Sequence, residues 1–209
     1  RGNFRKRELT PLVGDYVLFE SGNLKEGVVQ ELLPRKNELV RPPVANVDIG
    51  IVVMSAIEPS FSTNLLDRFL VTLESKGIQA IIYISKSDLL TDELLQQLKE
   101  KERAYEKIGY PIIVPEQTDN KKSLEELTSY FPNKLSVFMG QSGAGKSTLL
   151  NSIAPDLELK TAEISNSLGR GKHTTRHVEL LPLYGGLVAD TPGFSSIDVL
   201  ELEPEELSA

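Results

Sequence analysis

The chain has 209 residues, 40% of them hydrophobic and 25% charged, with a formal net charge of −7 and no cysteine. This excludes a disulfide framework and a thiolate metal site, and no apolar run approaches the roughly 20 residues that a membrane-spanning helix needs. The length suits one ordinary domain with a small second one.

The charge is unevenly placed. Residues 1–46 hold 8 Lys and Arg against 6 Asp and Glu, a net charge of +2, and the remainder of the chain is net −9. That balance argues against a surface that coats nucleic acid throughout. The basic opening RGNFRKR nevertheless makes Arg5, Lys6 and Arg7 candidates for an RNA contact, with a solvated edge as the plainer reading. The chain opens on Arg1 and stops within ELEPEELSA, so both ends are expected to be trimmed, and no signal peptide is visible. A cytoplasmic monomer with no membrane partner is expected.

In chain order, LVGDYVLFE alternates apolar and polar residues, and EGVVQELL follows the turn-prone SGNLK. Short β-strands of an incomplete barrel are expected here. Arg41-Pro42-Pro43 reads as a linker, because two prolines remove backbone donors and fix φ. The expected division is therefore residues 1–43 and 44–209.

Beyond it, apolar runs alternate with amphipathic stretches: VDIGIVVMSAI, STNLLDRFLVTLESKG, IQAIIYIS, TDELLQQLKEKERAYEKIG, PIIV, KSLEELTSYF, LSVFMG, GKSTLLNSI, HVELLPL and GLVAD. Continuous β-branched runs between such helices predict an α/β fold, with a mainly parallel sheet covered on both faces. Ligands of such sheets bind at the carboxyl ends of the strands, so motifs there carry weight.

GQSGAGKST follows LSVFM and precedes LLNSI, the strand, loop and helix context that gives G-x-x-x-x-G-K-[ST] its meaning. Gly140, Gln141, Ser142, Gly143, Ala144 and Gly145 would turn backbone N–H groups toward phosphate oxygens, and Thr148 closes the motif. Lys146 would reach the β and γ phosphates, and the Ser147 hydroxyl would bind Mg²⁺. In GLVADTPG, Asp190 ends an apolar strand and Gly193 follows three residues later. This is the D-x-x-G pattern, in which the aspartate holds the Mg²⁺ shell and the glycine N–H faces the γ-phosphate.

The polar SNSLGRGKHTTRH between them suits a first switch, with Thr174 or Thr175 completing the magnesium shell. Base recognition fits ISKSDL, an approximate N-K-x-D built from Ser85, Lys86, Ser87 and Asp88. Asp88 would accept hydrogen bonds from the guanine N1–H and 2-amino groups, donors that adenine lacks, and the Lys86 stem would pack along the base. Ser85 stands where that pattern has asparagine, a shorter side chain for the motif's supporting hydrogen bonds. VPEQTD at 114–119 does not match a base-supporting S-A-K loop, and no residue is assigned there.

SKSD precedes the P-loop by more than fifty residues, the reverse of the usual GTPase order, so the arrangement is circularly permuted. With NELVRPPVANVD, PSFSTNLLDRFL, SKSDL, GQSGAGKSTLLN, LGRGKHTTRHVEL and VADTPGFSS, the chain resembles, nearly end to end, the bacterial ribosome small subunit-dependent GTPase A family. The resemblance implies an N-terminal OB-fold that docks on 16S rRNA, and GTP hydrolysis to GDP stimulated by the 30S subunit during its late maturation. It also implies a C-terminal zinc domain, whose cysteines this sequence does not contain. Phe194 occupies the position of a water-orienting glutamine and cannot hydrogen-bond water, so resemblance and loop position together make His173 the candidate for that role. Two other readings stay open: an RNA-binding module whose nucleotide site does not hydrolyse, and a P-loop ATPase.

Overall fold

The computed structural model describes residues 10–22, 27–116, 120–155 and 178–190. Its centre is a six-stranded sheet. The strands are β5 (Ile49–Ser55), β6 (Gln79–Ser85), β7 (Ile112–Ile113), β8 (Leu135–Met139), β9 (Glu179–Leu183) and β10 (Gly186–Asp190), in the order β7-β6-β5-β8-β10-β9. All neighbours pair in parallel except β9, which returns antiparallel along β10 at one edge.

Every residue of the central β5 is buried, as expected for a strand covered on both faces. The two-residue period divides its side chains. Ile49, Ile51 and Val53 enter one core together with Ile81, Tyr83, Phe138 and Val188. Val52 and Met54 enter the other with Ile82, Ile84, Val137 and Ala189.

Helices α1 (Thr63–Ser75) and α2 (Asp92–Lys107) cover the second face, and α3 (Lys121–Ser129) and α4 (Lys146–Ile153) cover the first. Ser62 caps α1 by accepting the Leu65 N–H at 3.3 Å, and Leu66, Phe69, Leu70 and Leu73 form its buried stripe. Leu66, Phe69 and Leu73 are fully enclosed, each worth roughly 2 kcal/mol of apolar burial. Thr91 caps α2, whose first turn carries Asp92 and Glu93 and whose last carries Lys107, charges that complement the helix dipole.

The N-terminal segment holds an antiparallel pair, β1 (Val17–Glu20) and β2 (Val28–Leu32), with a register shift between Leu18 and Phe19. It exposes Leu18, Phe19 and Val28. A second hairpin joins β3 (Glu38–Leu39) to β4 (Val44–Ala45). Arg41-Pro42-Pro43, expected to be a linker, is the turn of this hairpin, because prolines are tolerated where the chain reverses and no ladder donor is required.

Polar side chains fasten this segment to the sheet. Asn46 donates to the Gly14 carbonyl at 2.9 Å, and Asn37 pairs with both backbone groups of Val47 at 2.8 Å. Asp48 accepts from the Leu135 N–H at 2.8 Å and from the Lys36 ammonium at 2.5 Å. No helix among the described residues is long and apolar enough to cross a membrane.

Candidate functional site

Because β5, β6, β7, β8 and β10 run parallel, their carboxyl ends share one edge of the sheet. The segment 85–88 leaves β6 there, the loop 140–145 leaves β8, and Asp190 ends β10, the neighbour of β8. Motifs that are distant and permuted in sequence thus meet at one rim.

Two glycines of the loop have no substitute. At Gly140, with φ 138°, an added Cβ would lie 2.2 Å from the Val53 carbonyl oxygen. Gly145 is left-handed at φ 92°, the residue from which α4 starts, and an added Cβ there would lie 3.3 Å from the Ser85 side chain. The loop therefore passes the end of β5 and runs close to the end of β6, with little room for a side chain at either glycine. Lys146, half-buried, donates to the Gly140 and Gln141 carbonyls at 2.7 and 2.8 Å, and burial holds its pKa below the usual lysine value. Ser147 and Thr148 are exposed on the first turn of α4, and Gln141 and Ser142 are exposed on the loop.

Ser85 is buried. Its hydroxyl donates to the Ala144 carbonyl at 2.6 Å, with a longer contact to the Met54 carbonyl at 3.4 Å. The serine in place of asparagine therefore does reach the phosphate loop. A trans peptide points its C=O and N–H in opposite directions, so holding the Ala144 carbonyl toward β6 turns the Gly145 N–H away from it.

Lys86, left-handed at φ 59°, donates to the Gly143 carbonyl at 2.9 Å and also to the Glu58 carbonyl. Ser87 and Leu89 bound a short 3₁₀ turn that presents Asp88 to solvent. The Ser87 hydroxyl donates to the Pro115 carbonyl at 2.7 Å, drawing the segment after β7 against the same turn.

Two of these partners escaped sequence reading, the carbonyls of Glu58 and Pro115. The signal available was position alone, since each directly follows or ends a buried parallel strand. Arg5, Lys6, Arg7, His173, Thr174, Thr175 and Gly193 lie outside the described residues.

Among the described side chains the exposed Ser147 hydroxyl is an oxygen donor at this rim, and a hard oxygen donor of this kind suits Mg²⁺. Among the described residues no cluster of three or more His, Cys, Asp or Glu suits a metal held by protein alone.

The sequence matches the model of the RsgA GTPase family over residues 32–200 and that of the RsgA N-terminal domain over residues 1–29. The small ribosomal subunit biogenesis GTPase RsgA of Enterococcus faecalis is 66% identical over 207 residues, which are 99% of this chain and 69% of that protein. Its namesake in Latilactobacillus sakei is 56% identical over 208 residues, 99% of this chain and 70% of that protein. Among solved structures, YloQ, described as a circularly permuted GTPase, aligns with a TM-score of 0.73 at 48% identity, covering 94% of this chain and 62% of that one. YjeQ from Thermotoga maritima aligns with a TM-score of 0.77 at 38% identity, covering 99% and 69% respectively. The chain thus spans roughly two thirds of the length of these relatives. On the permuted order of its motifs, its parallel sheet and these matches, the chain belongs to the RsgA GTPase family.

Proposed function

We propose that this protein binds GTP at the shared strand edge, hydrolyses it to GDP and phosphate, and uses that cycle in late maturation of the small ribosomal subunit. The observation that carries the reading is the pair of bonds from Ser85 and Lys86 to the carbonyls of Ala144 and Gly143. They join a guanine-selecting motif to a phosphate-binding loop that follows it in the chain.

In this reading Asp88 accepts the guanine N1–H and 2-amino hydrogens, and the Lys86 stem lies along the base. Backbone N–H groups of residues 140–148 receive the phosphates, Lys146 reaches the β and γ groups, and the Gly193 N–H faces the γ-phosphate. Ser147, Asp190 and either Thr174 or Thr175 would hold Mg²⁺, which when bound neutralises charge on the β and γ oxygens. His173 orients the attacking water, a role closed to Phe194. The protein's contribution is position and electrostatics, as phosphoryl transfer requires.

Residues 1–43 supply the RNA-contacting portion, through Arg5, Lys6 and Arg7 toward 16S rRNA, and residues 44–209 form the GTPase domain, with the 38–45 hairpin as their joint. The factor acts as a cytoplasmic monomer. Support for the RNA and subunit contacts comes from the basic opening segment and from the names carried by the relatives. Phosphate release from GTP, measured with and without purified small subunits, tests the reading. Stimulation by the subunit supports it, and release that the subunit does not change refutes the coupling.

A further inference from the structure

A buried hydroxyl outside all of these motifs is wired into the site. Ser55, 2% exposed, ends β5 directly opposite Ser85 in the register of the parallel pair. Its Oγ accepts the N–H groups of Ile57 and Glu58 at 3.3 and 3.0 Å and donates to the Glu58 carbonyl at 2.8 Å. One donor and two lone pairs are all that a hydroxyl has, so Ser55 is saturated within this one turn.

The turn does more than reverse the chain. The second lone pair of the Glu58 carbonyl receives the Lys86 ammonium, which at the same time donates to Gly143 in the phosphate loop. Lys86 is held in a left-handed conformation that is unfavourable for a non-glycine residue, so its geometry needs support from its neighbours. The Gly143 carbonyl that it grips belongs to the peptide whose Ala144 N–H closes the loop onto the Gln141 carbonyl at 3.1 Å. Two serines ending adjacent strands therefore hold adjacent loop carbonyls, Ser85 directly and Ser55 through Glu58 and Lys86.

We infer that Ser55 is a positioning residue of the nucleotide site, acting through the Glu58 carbonyl and Lys86 on the phosphate loop. This rests on the guanine-nucleotide reading above.

The test is equilibrium binding of a fluorescent GDP analogue with Mg²⁺ to the full chain, in a cycle of Ser55→Ala and Lys86→Met. Ser55→Ala is expected to weaken binding about five- to tenfold, the worth of one to two buried hydrogen bonds. In the Lys86→Met background the same change should cost less than about twofold, because the link it acts through is gone. Ser55→Cys, which keeps the volume but hydrogen-bonds weakly, should repeat the pattern and carries the cycle if the alanine variant does not fold. Unchanged affinity in both Ser55 variants overturns the inference, and so does an equal loss with and without Lys86, which marks a merely structural serine. Absence of GDP binding by the unmodified protein defeats the nucleotide reading itself, whereas binding with a failed cycle defeats only the role of Ser55.

Discussion

Replacing Ser85 with alanine removes the hydroxyl that ties β6 to the phosphate loop. The bond to the Ala144 carbonyl is short, at 2.6 Å, and buried, while the 3.4 Å contact to Met54 adds little. A neutral buried hydrogen bond nets about 1 kcal/mol, and an orphaned carbonyl adds to the loss, so about 1.5 kcal/mol is expected. Because this tie presents the Gly145 N–H, GDP affinity is expected to fall about tenfold. Isothermal titration of GDP into both proteins reads the change, and thermal melting without nucleotide reads its stability component, a fall of about 3–6 °C for a chain of this size. The asparagine of the usual motif should not improve binding. The loop lies so near that a Cβ on Gly145 would come within 3.3 Å of Ser85, and a longer side chain must displace it. Affinities of Ser85→Ala and the unmodified protein within twofold of each other would refute this account of the motif.

Gly140→Ala places a methyl 2.2 Å from the Val53 carbonyl oxygen at a φ unsuited to alanine, a cost expected to exceed about 3 kcal/mol. Denaturant unfolding should show it together with loss of nucleotide binding, and wild-type stability would contradict the packing described. Burial alone would raise the Asp48 carboxyl, but the Leu135 N–H and the Lys36 ammonium outweigh it and hold the pKa below the usual value. The folded state therefore favours the carboxylate. Its contribution is present above the ordinary aspartate range and is lost as pH falls through the folded value. Asp48→Asn should cost about 1 kcal/mol at neutral pH and nothing in strong acid, as chemical unfolding across pH would reveal. His173→Ala should leave GTP binding intact while lowering subunit-stimulated hydrolysis at least tenfold, and equal rates would remove His173 from the mechanism.

The strands and helices of the larger region were legible because burial on both sheet faces imposes continuous apolar runs, as in IGIVVMS and QAIIYIS, and helices show their stripe, as in α1. The phosphate loop was legible because its geometry admits few residues, above all at Gly140 and Gly145. The hairpin around Pro42 and Pro43 was not, since two-residue strands are too short for any period to show. Nor were the ties made by Ser55, Ser85 and Ser87. A serine hydroxyl carries no spacing rule of its own, and its partners, Glu58, Ala144 and Pro115, become neighbours only once the strand order is known.

The proposed function stands on GTP turnover, at the permuted nucleotide site of this sheet edge, in response to the small ribosomal subunit. GTP hydrolysis titrated with purified small subunits, with ATP and GDP as competitors, tests it most directly. Turnover should rise to saturation with subunit, and GDP should inhibit it while ATP should not. Turnover indifferent to the subunit, or ATP competing as well as GDP, would contradict it.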